Sequence, residues 1–384
     1  MLRSTLLLRS TLIAVIALAP LAGVLTGCLD YDKPPANSPP VPAPAPTTQP
    51  GASAEKGKLP YARDPHPEEK HFKNILQLTD GGENAEAYFS KDGKKLIFQS
   101  KRPPYQCDQI FTMNIDGSDV KMVSTGKGRT TCGYFLFSDD NAIIFSSTHA
   151  AADECPPVPD RSMGYVWPIY STYDIYRADA DGSNLRVLAP YDGYDAEATV
   201  SPDGSRICFT STRDGDLDIY SMKPDGSDLK RLTSTVGYDG GPFYSPDGTK
   251  IIFRASRPEG AALADYQRLL ERERIRPTKL DVYMMDADGS NVVQLTDNDS
   301  GNFCPFFHPD GKRVIFSSNQ GGNPREFDLF SVHIDTKEIE QITFTGDFDG
   351  FPMFSPDGKK FVWCSNRHNA RENETNVFIA DWVD

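Results

Sequence analysis

The sequence predicts an all-β fold, a six-bladed β-propeller of four-stranded blades, and three observations support this. A short apolar strand, a tight turn and a second apolar strand occur together six times. In five of these six repeats a second hairpin follows, so that each repeat holds four strands. The repeats recur every 44–48 residues, and after 63 residues where an insertion intervenes. This period is typical of propeller blades.

The first hairpin of each repeat carries the strongest local signal. Asp-Gly between two apolar runs favours a tight β-turn. The apolar runs after the turn, such as Leu96–Phe98 and Ile251–Phe253, suit strands that are buried on both faces. The six turns are Asp92-Gly93, Asp140-Asn141, Asp203-Gly204, Asp247-Gly248, Asp310-Gly311 and Asp357-Gly358.

The sixth repeat lacks a fourth strand of its own. Its third strand, Asn376–Trp382, runs almost to the end of the sequence. Asn74–Thr79 has the pattern of a fourth strand but follows no other blade. We therefore expect the two terminal segments to pair and close the ring, which removes exposed strand edges.

The Ser-Pro-Asp-Gly turns, the Asp-Ile-Tyr strand starts and the Asp-Gly-Ser turns together resemble the repeat of TolB and its relatives. Similar repeats occur in the propeller domains of prolyl-oligopeptidase-type peptidases. The resemblance covers residues 74–384 and implies the fold. It implies little about function, because the motif consists of turn and core residues. TolB has an additional N-terminal domain where this chain has a proline-rich segment, so a TolB role in envelope machinery is not implied.

Residues 1–27 have the order of a lipoprotein signal peptide. Two arginines precede an apolar stretch, Leu12–Val24, which is too short to span a membrane. The following Leu25–Cys28 resembles a bacterial lipobox, which implies cleavage before Cys28 and lipidation of its sulfur. Leu29, rather than Asp, follows, and this resembles Gram-negative sorting to the outer membrane, facing the periplasm or the cell surface. The alternative is a buried free cysteine after an N-terminal helix.

Residues 28–73 are predicted to be a lipidated cysteine followed by a linker. Eight prolines lie between Pro34 and Pro50, and this composition favours polyproline II rather than a core. At about 3.1 Å per residue, such a segment would hold a domain roughly 50 Å from a membrane. The propeller is predicted to occupy residues 74–384.

The net charge of −14 argues against nucleic acid as a partner, because the phosphate backbone would be repelled. Cationic partners, metal ions and plain solubility are all consistent with this charge. We expect a monomer that contacts the membrane through its lipid anchor alone.

Two sets of polar residues are expected at one rim of the propeller. The residue before the first strand and the residue after the second strand vary together between repeats. This indicates contact between them inside each blade, which favours structural ion pairs. A ligand site at the mouth of the central channel is the alternative, and Glu86 and Glu197 would then favour a cation or a basic peptide. Before the first strands stand Asn84, Cys132, Asp195, Asp239, Asn302 and Asp349, and after the second strands stand Arg102, His149, Arg213, Arg257, Gln320 and Arg367.

Two insertions are expected on that same face. Thr148–Thr172 is irregular and aromatic, whereas Pro258–Pro277 has the apolar stripe of a helix. Loops on a rigid scaffold commonly carry function. We therefore expect a protein or small-ligand partner at the inserted rim, although packing of the helix onto the propeller would explain its stripe as well.

Six cysteines follow Cys28. Three of them, Cys107, Cys132 and Cys155, fall on the inserted face, and export would permit a disulfide among them. A zinc site with His149 and three free thiols are the alternatives. The cysteines expected in the core are Cys208, Cys304 and Cys364.

A tethered binding scaffold is the function that these features favour. The alternative is a propeller lyase or hydrolase that uses rim carboxylates or a bound metal. Sequence signatures of hydrolases, metalloproteases and phosphate-binding loops are missing, and His149 and His368 are the histidines near the rim. We expect no organic cofactor and no catalytic residue, whereas binding of a divalent cation is kept as an alternative.

Overall fold

The computed structural model describes residues 59–159 and 161–384. It confirms the predicted fold, with six antiparallel blades around one axis. The predicted signal peptide, Cys28 and the proline-rich run lie outside the described residues. No helix within the described part is long and apolar enough to cross a membrane.

The strands are numbered here in chain order. The first half comprises β1 (Tyr61–Arg63), β2 (Phe72–Gln77), β3 (Glu83–Phe89), β4 (Lys95–Lys101), β5 (Gln109–Asn114), β6 (Lys121–Met122), β7 (Thr130–Phe135), β8 (Ala142–Ser147), β9 (Trp167–Pro168), β10 (Asp174–Asp179), β11 (Arg186–Leu188), β12 (Asp195–Val200), β13 (Ile207–Ser211) and β14 (Asp218–Met222). The second half comprises β15 (Lys230–Arg231), β16 (Asp239–Tyr244), β17 (Lys250–Ala255), β18 (Arg274–Ile275), β19 (Asp281–Asp286), β20 (Val293–Gln294), β21 (Asn302–Phe307), β22 (Arg313–Ser318), β23 (Asp328–His333), β24 (Ile339–Gln341), β25 (Asp349–Phe354), β26 (Lys360–Ser365) and β27 (Asn376–Trp382).

Blades 1 to 5 begin with β3, β7, β12, β16 and β21, and each has four strands in one sheet. Two insertions interrupt this pattern. The blade-2 insertion contains a 3₁₀ turn, Arg161–Met163, and β9, while the blade-4 insertion contains helix α1 (Gly260–Leu270) and β18. The helix predicted within Pro258–Pro277 is therefore α1. β9 and β18 pair with each other in a separate two-stranded sheet.

The ring closes by pairing of the terminal strands, as predicted. Blade 6 contains β25, β26 and β27, and β2 pairs with β27 as its fourth strand. The hydroxyl of Thr79 donates to Asn376 Oδ1 at 3.0 Å and accepts the N–H of Val377 at 2.9 Å. The same threonine arrangement joins the third and fourth strands of other blades, for example Thr233 with Asp218.

The folded part begins earlier than residue 74. The sequence predicts a linker for residues 59–73, but β1 adds a fifth strand to blade 6 and Phe72 already pairs with Trp382. Glu69, between these strands, is buried in an ion pair with Arg367 at 2.8 Å. A proline count could not reveal this, because these contacts are made with blade 6, about 300 residues away in sequence.

The repeated turns explain why the motif predicts the fold. Ser201 Oγ donates to Asp203 Oδ1 at 2.6 Å and accepts the N–H of Arg206 at 2.9 Å. The serine bond holds the pKa of the Asp203 carboxyl below its usual value. The turns of blades 1, 4 and 6 repeat these bonds. These motif residues therefore stabilise hairpins.

Blade 2 has a different register from the one expected. Thr130 pairs with Ser147 as Asp195 pairs with Ser211, so Thr130 rather than Cys132 is the rim residue of this blade. The N–H of Leu136 closes the turn onto Ala142 O at 2.9 Å. The sequence misled because Ser138 matched the motif serine, although this turn lacks the Pro-Asp-Gly that fixes the position elsewhere.

Candidate functional site

Each innermost strand contains a β-bulge at the same position, and the bulged residue has a positive φ of 50° to 60°. A bulge re-aims the side chain that it carries. All six bulged residues line one cavity at the centre of the propeller. We call them the inner ring: Glu86, Cys132, Glu197, Gly241, Cys304 and Phe351.

A second ring lies two residues further along the same strands and fills the channel. Rings from opposite and neighbouring blades touch, with centroids 5.5 Å apart for Tyr88 and Phe243 and 5.4 Å apart for Phe243 and Phe306. Tyr134 also approaches Phe243, at 6.2 Å. The remaining members are Thr199 and Met353. We call these six side chains the aromatic plug, because their aromatic rings pack against one another across the channel at that level.

Glu197 is the centre of a buried polar cluster in the inner ring. Its carboxylate accepts bonds from Thr210 Oγ1 at 2.8 Å and from the N–H of Gly241 at 2.9 Å. It also forms an ion pair with Arg254, and Tyr238 bonds both groups. The charge of Glu197 is therefore satisfied, as a buried carboxylate requires.

Arg254 reaches the channel because its own blade has glycines in the inner strand. A Cβ added to Gly241 would lie 2.7 Å from Arg254 Nη1, so a side chain there would displace the guanidinium. The equivalent position in blade 3 is occupied by Thr210, which is much smaller. Sequence reasoning missed this arginine, although the Gly240-Gly241 pair opposite it was a usable signal.

Glu86 differs from Glu197 because it has few partners. It is buried, and Cys132 Sγ lies 3.9 Å from its Oε1. Burial, together with the charge of Glu197, raises the pKa of Glu86 to about 8. The cavity beside it has a volume of about 20 Å³, which is room for one water molecule or one small ion.

The paired insertions form a cap over this cavity. We use the word cap for residues 148–172 and 258–280. Trp167 of β9 packs 5.5 Å from the guanidinium of Arg254 and 5.4 Å from Phe303. Arg276 bonds the carbonyls of Met163 and Tyr165 and so joins the two insertions. Glu86 and Glu197, which the sequence suggested for an acidic channel mouth, are both buried in the structure.

The rim acids and arginines form pairs inside single blades. Asp195 pairs with Arg213 at 2.5 Å, and blades 4 and 6 repeat this pair at 2.6 and 2.9 Å. In blade 1, Arg102 bonds Asn84 Oδ1 at 2.6 Å. The pair in blade 4 is Asp239 with Arg257, and the pair in blade 6 is Asp349 with Arg367. In blade 5, Asn298 bonds both Asn302 and Gln320.

The arginine side chains also cover aromatic rings of their own blades. Arg213 lies 5.3 Å from the centroid of Tyr220, and Arg257 lies 4.9 Å from that of Tyr283. His149 takes this place in blade 2, 4.4 Å from Tyr176, and bonds Ser147 Oγ at 2.9 Å. These contacts agree with the reading of structural pairs, and they place the rim residues apart from the central cavity.

A disulfide joins Cys107 of blade 1 to Cys155 of the cap. Cys132 belongs to the inner ring, and the zinc site proposed from Cys107, Cys132, Cys155 and His149 is excluded by that bond. Among the described residues no group of three or more His, Cys, Asp or Glu is arranged to hold a metal. The expected core cysteines, Cys208, Cys304 and Cys364, are buried free thiols.

Comparison with known proteins now decides the family. The TolB beta propeller domain matches residues 170–274 and 271–381, more than half of the chain. The chain belongs to the TolB-like β-propeller family. A curated relative, the Tol-Pal system protein TolB of Roseobacter denitrificans, is 48% identical over 42 residues. That match spans 11% of this chain and 10% of the relative.

Solved structures share the fold of this TolB-like propeller. TolB from Acinetobacter baumannii superposes with a TM-score of 0.53 at 19% identity, covering 78% of this chain and 63% of that one. A gluconolactonase from Xanthomonas campestris gives 0.52 at 14% identity, covering 84% and 95%. One of these proteins is named as an enzyme and the other is not, so the fold alone does not separate binding from catalysis.

Proposed function

We propose that this TolB-like propeller is a membrane-tethered, extracytoplasmic scaffold that binds a protein through its cap. One observation carries the proposal: the aromatic plug fills the channel, and the capped cavity has a volume of only about 20 Å³. Pockets for small molecules have volumes of about 300–1,000 Å³. A lyase or hydrolase site at the channel would need the cap to open first.

The outer face of the cap offers the kind of surface that a protein partner needs. Helix α1 buries Tyr266 and Leu269 against the propeller. Arg268 of this helix and Arg272, which follows it, remain exposed, each about 4 Å from Met163 Sδ. Methionine and arginine are both common at protein interfaces. The disulfide and the β9–β18 pairing hold this surface in place before a partner arrives, which reduces the entropy lost on binding.

The location is part of the same proposal. The signal-peptide pattern ending at Cys28 supports export and lipid anchoring, and the short match to a Tol-Pal system protein supports an envelope location. The proline-rich run would then hold the cap away from the bilayer. Two acyl chains anchor a protein stably, because each buried CH₂ contributes about 0.8 kcal/mol.

Affinity capture from envelope extract with two matched double variants tests the proposal. Arg268→Glu/Arg272→Glu reverses two charges on the cap. Lys94→Glu/Lys359→Glu reverses two exposed charges at the first-hairpin turns, on the opposite face. A partner that wild type and the turn variant retain, and the cap variant loses at an unchanged melting temperature, supports the proposal. Equal capture by all three proteins contradicts it.

A further inference from the structure

Neighbouring blades are connected by the same backbone hydrogen bond at the start of each innermost strand, and we call this connection a joint. The backbone N–H of that residue donates to a carbonyl of the preceding blade, for example from Asp195 to Tyr173 O at 3.0 Å and from Asp239 to Leu217 O at 2.9 Å. In blade 5 the N–H of Asn302 donates to Leu280 O at 3.0 Å. The carbonyl is therefore the fixed acceptor of every such joint.

Where this residue is an asparagine, its side chain donates to the same carbonyl. Asn84 Nδ2 lies 2.6 Å from Thr375 O, and Asn302 Nδ2 lies 2.9 Å from Leu280 O. In blade 1, Asn84 Oδ1 at the same time accepts a bond from Arg102 at 2.6 Å. The asparagine nitrogen thus donates to the carbonyl of the joint, while the asparagine oxygen accepts a bond from the arginine of the same blade.

Asp195 and Asp239 occupy the same place with a carboxyl group. Arg213 bonds Oδ2 of Asp195, and Arg257 bonds Oδ1 of Asp239. The other oxygen of each acid is buried and has no hydrogen-bond partner. An ionised carboxylate can only accept bonds, so the second oxygen of an ionised Asp195 or Asp239 would be buried without compensation.

We infer that Asp195 and Asp239 are held as neutral carboxylic acids, each donating its O–H to the carbonyl of the preceding blade. The carboxylic O–H then donates to the carbonyl in place of the asparagine N–H, and the second oxygen still accepts the bond from the arginine. The acceptors are Tyr173 O and Leu217 O. Blade 1 demonstrates that an uncharged partner suffices for the arginine.

The surrounding charges favour the protonated form. Asp195 faces Asp174, Ser211 and Arg213, and Asp174 Oδ1 is itself buried without a partner. Burial outweighs the arginine and raises the pKa of Asp195 to about 6.

Asp239 has a similar environment. It faces Arg257 and Thr233 together with the acid Asp218 of the preceding blade, whose partner is Arg231. Tyr283 of β19 and Tyr266 of α1, which bonds Asp216, lie nearby. Burial again outweighs the arginine and raises the pKa of Asp239 to about 7.

Asp349 provides an internal contrast. Its Oδ1 accepts a bond from Trp363 Nε1 at 3.1 Å, and its Oδ2 accepts one from Arg367 at 2.9 Å. Both oxygens are satisfied without a proton, so the same position in blade 6 suits an ionised acid. The inference is therefore specific to the joints between blades 2 and 3 and between blades 3 and 4.

These two joints lie beneath the cap, so the protons have a regulatory consequence. The blade-2 insertion leads directly into β10, and α1 is bonded to Asp216 next to the blade 3–4 joint. Loss of the protons would turn each O–H···O bond into repulsion between oxygens. We therefore expect the cap and its underlying joints to loosen as the pH rises through about 6 and 7, the pKa values of Asp195 and Asp239.

Asn variants test the inference, because asparagine already performs this role in blades 1 and 5. For Asp195→Asn/Asp239→Asn we expect a melting temperature above that of wild type at pH 8.5 and a smaller difference at pH 5.5, because an acid whose pKa is raised on folding loses stability as the pH rises from its unfolded to its folded pKa. Infrared spectra at pH 5.5 should show a protonated-carboxyl band in wild type that is reduced in the variant. The control, Asp349→Asn, should melt below wild type at both pH values and keep the band.

Two results would overturn the inference. One is a double variant that melts as far below wild type at pH 8.5 as Asp349→Asn does, with an unchanged infrared band. The other is a wild-type protein that sodium or calcium chloride stabilises at pH 8.5 relative to choline chloride of equal ionic strength, when the double variant is not stabilised. A cation, and not a proton, would then occupy the joint.

Discussion

The indole of Trp167, from the blade-2 insertion, packs 5.5 Å from the guanidinium of Arg254, from the second strand of blade 4. Tyr238 lies on the same guanidinium, also at 5.5 Å. A cation between two aromatic rings in a water-poor site contributes about 2 kcal/mol or more. This contact connects the cap directly to the ion pair between Arg254 and Glu197 in the inner ring.

Removal of the Trp167 indole should loosen the cap. We expect Trp167→Ala to lower the free energy of unfolding by about 3 kcal/mol or more, because a large buried side chain is lost. Protease cleavage within 148–172 should also become faster than in wild type. Tyr165→Phe, which removes the acceptor of the Trp167 Nε1 bond but keeps the indole, should have a much smaller effect. Equal protease resistance of wild type and Trp167→Ala would contradict the assigned role.

Glu86 should make stability depend on pH. Burial raises its pKa from 4.5 to about 8, so the unfolded chain releases this proton at lower pH than the folded protein does. The stability that it contributes is present below about pH 4.5 and is lost as the pH rises towards 8. Glu86→Gln should therefore melt progressively higher than wild type between pH 5 and 8.5. The exposed acid Glu259, replaced by Gln, is the control and should leave the profile unchanged.

The disulfide should anchor the cap to blade 1. Cys107→Ser, Cys155→Ser and the double variant should each lower the free energy of unfolding by about 2–4 kcal/mol. The three losses should be equal, because either single change already breaks the bond. Unequal or additive losses would indicate that the two sulfurs act separately. Peptide mapping without reductant should recover the peptides of both residues as one linked species.

The proposed lipid anchor depends on one residue. Cys28→Ser should abolish lipidation and release the protein from membranes, which fractionation after labelling with a radioactive fatty acid would measure. Leu29→Asp is the matched variant: it should remain lipidated but shift towards the inner membrane. If Cys28→Ser still fractionates with membranes like wild type, residues 1–28 are not a lipoprotein signal.

The sequence was sufficient for the architecture because the signals of a propeller are local. Each Ser-Pro-Asp-Gly turn fixes its own hairpin, as Ser201 and Asp203 show, and the unpaired fourth-strand pattern at Asn74–Thr79 identified the closure. Blade 2 was misaligned where this local signal is absent. Its turn at Leu136 has no proline or glycine to fix the register, and a shift of two residues preserves the alternation of side chains.

The cavity could be predicted only in part. Glu86 and Glu197 were recognised as inward-facing, because they follow the rim residues by two positions. Their surroundings were not foreseeable, since Trp167, which packs on Arg254, is placed by the pairing of β9 with β18, short segments of two insertions about 100 residues apart. Local patterns also do not show that Arg254 extends through the space above Gly241. The disulfide partners were narrowed to three cysteines, but only the fold selects Cys107 and Cys155.

Closure of the ring affects how the protein folds. Thr79 and Asn376, which hydrogen-bond across the closing strands, are separated by 297 residues. Such a contact forms late, because most of the chain must already be ordered before its two partners meet. Until then β27 has an open edge, which is a site for pairing with other chains. We therefore expect newly made protein to pass through an open-ring intermediate that is prone to aggregation and would benefit from a chaperone until residue 376 and its neighbours have joined the sheet.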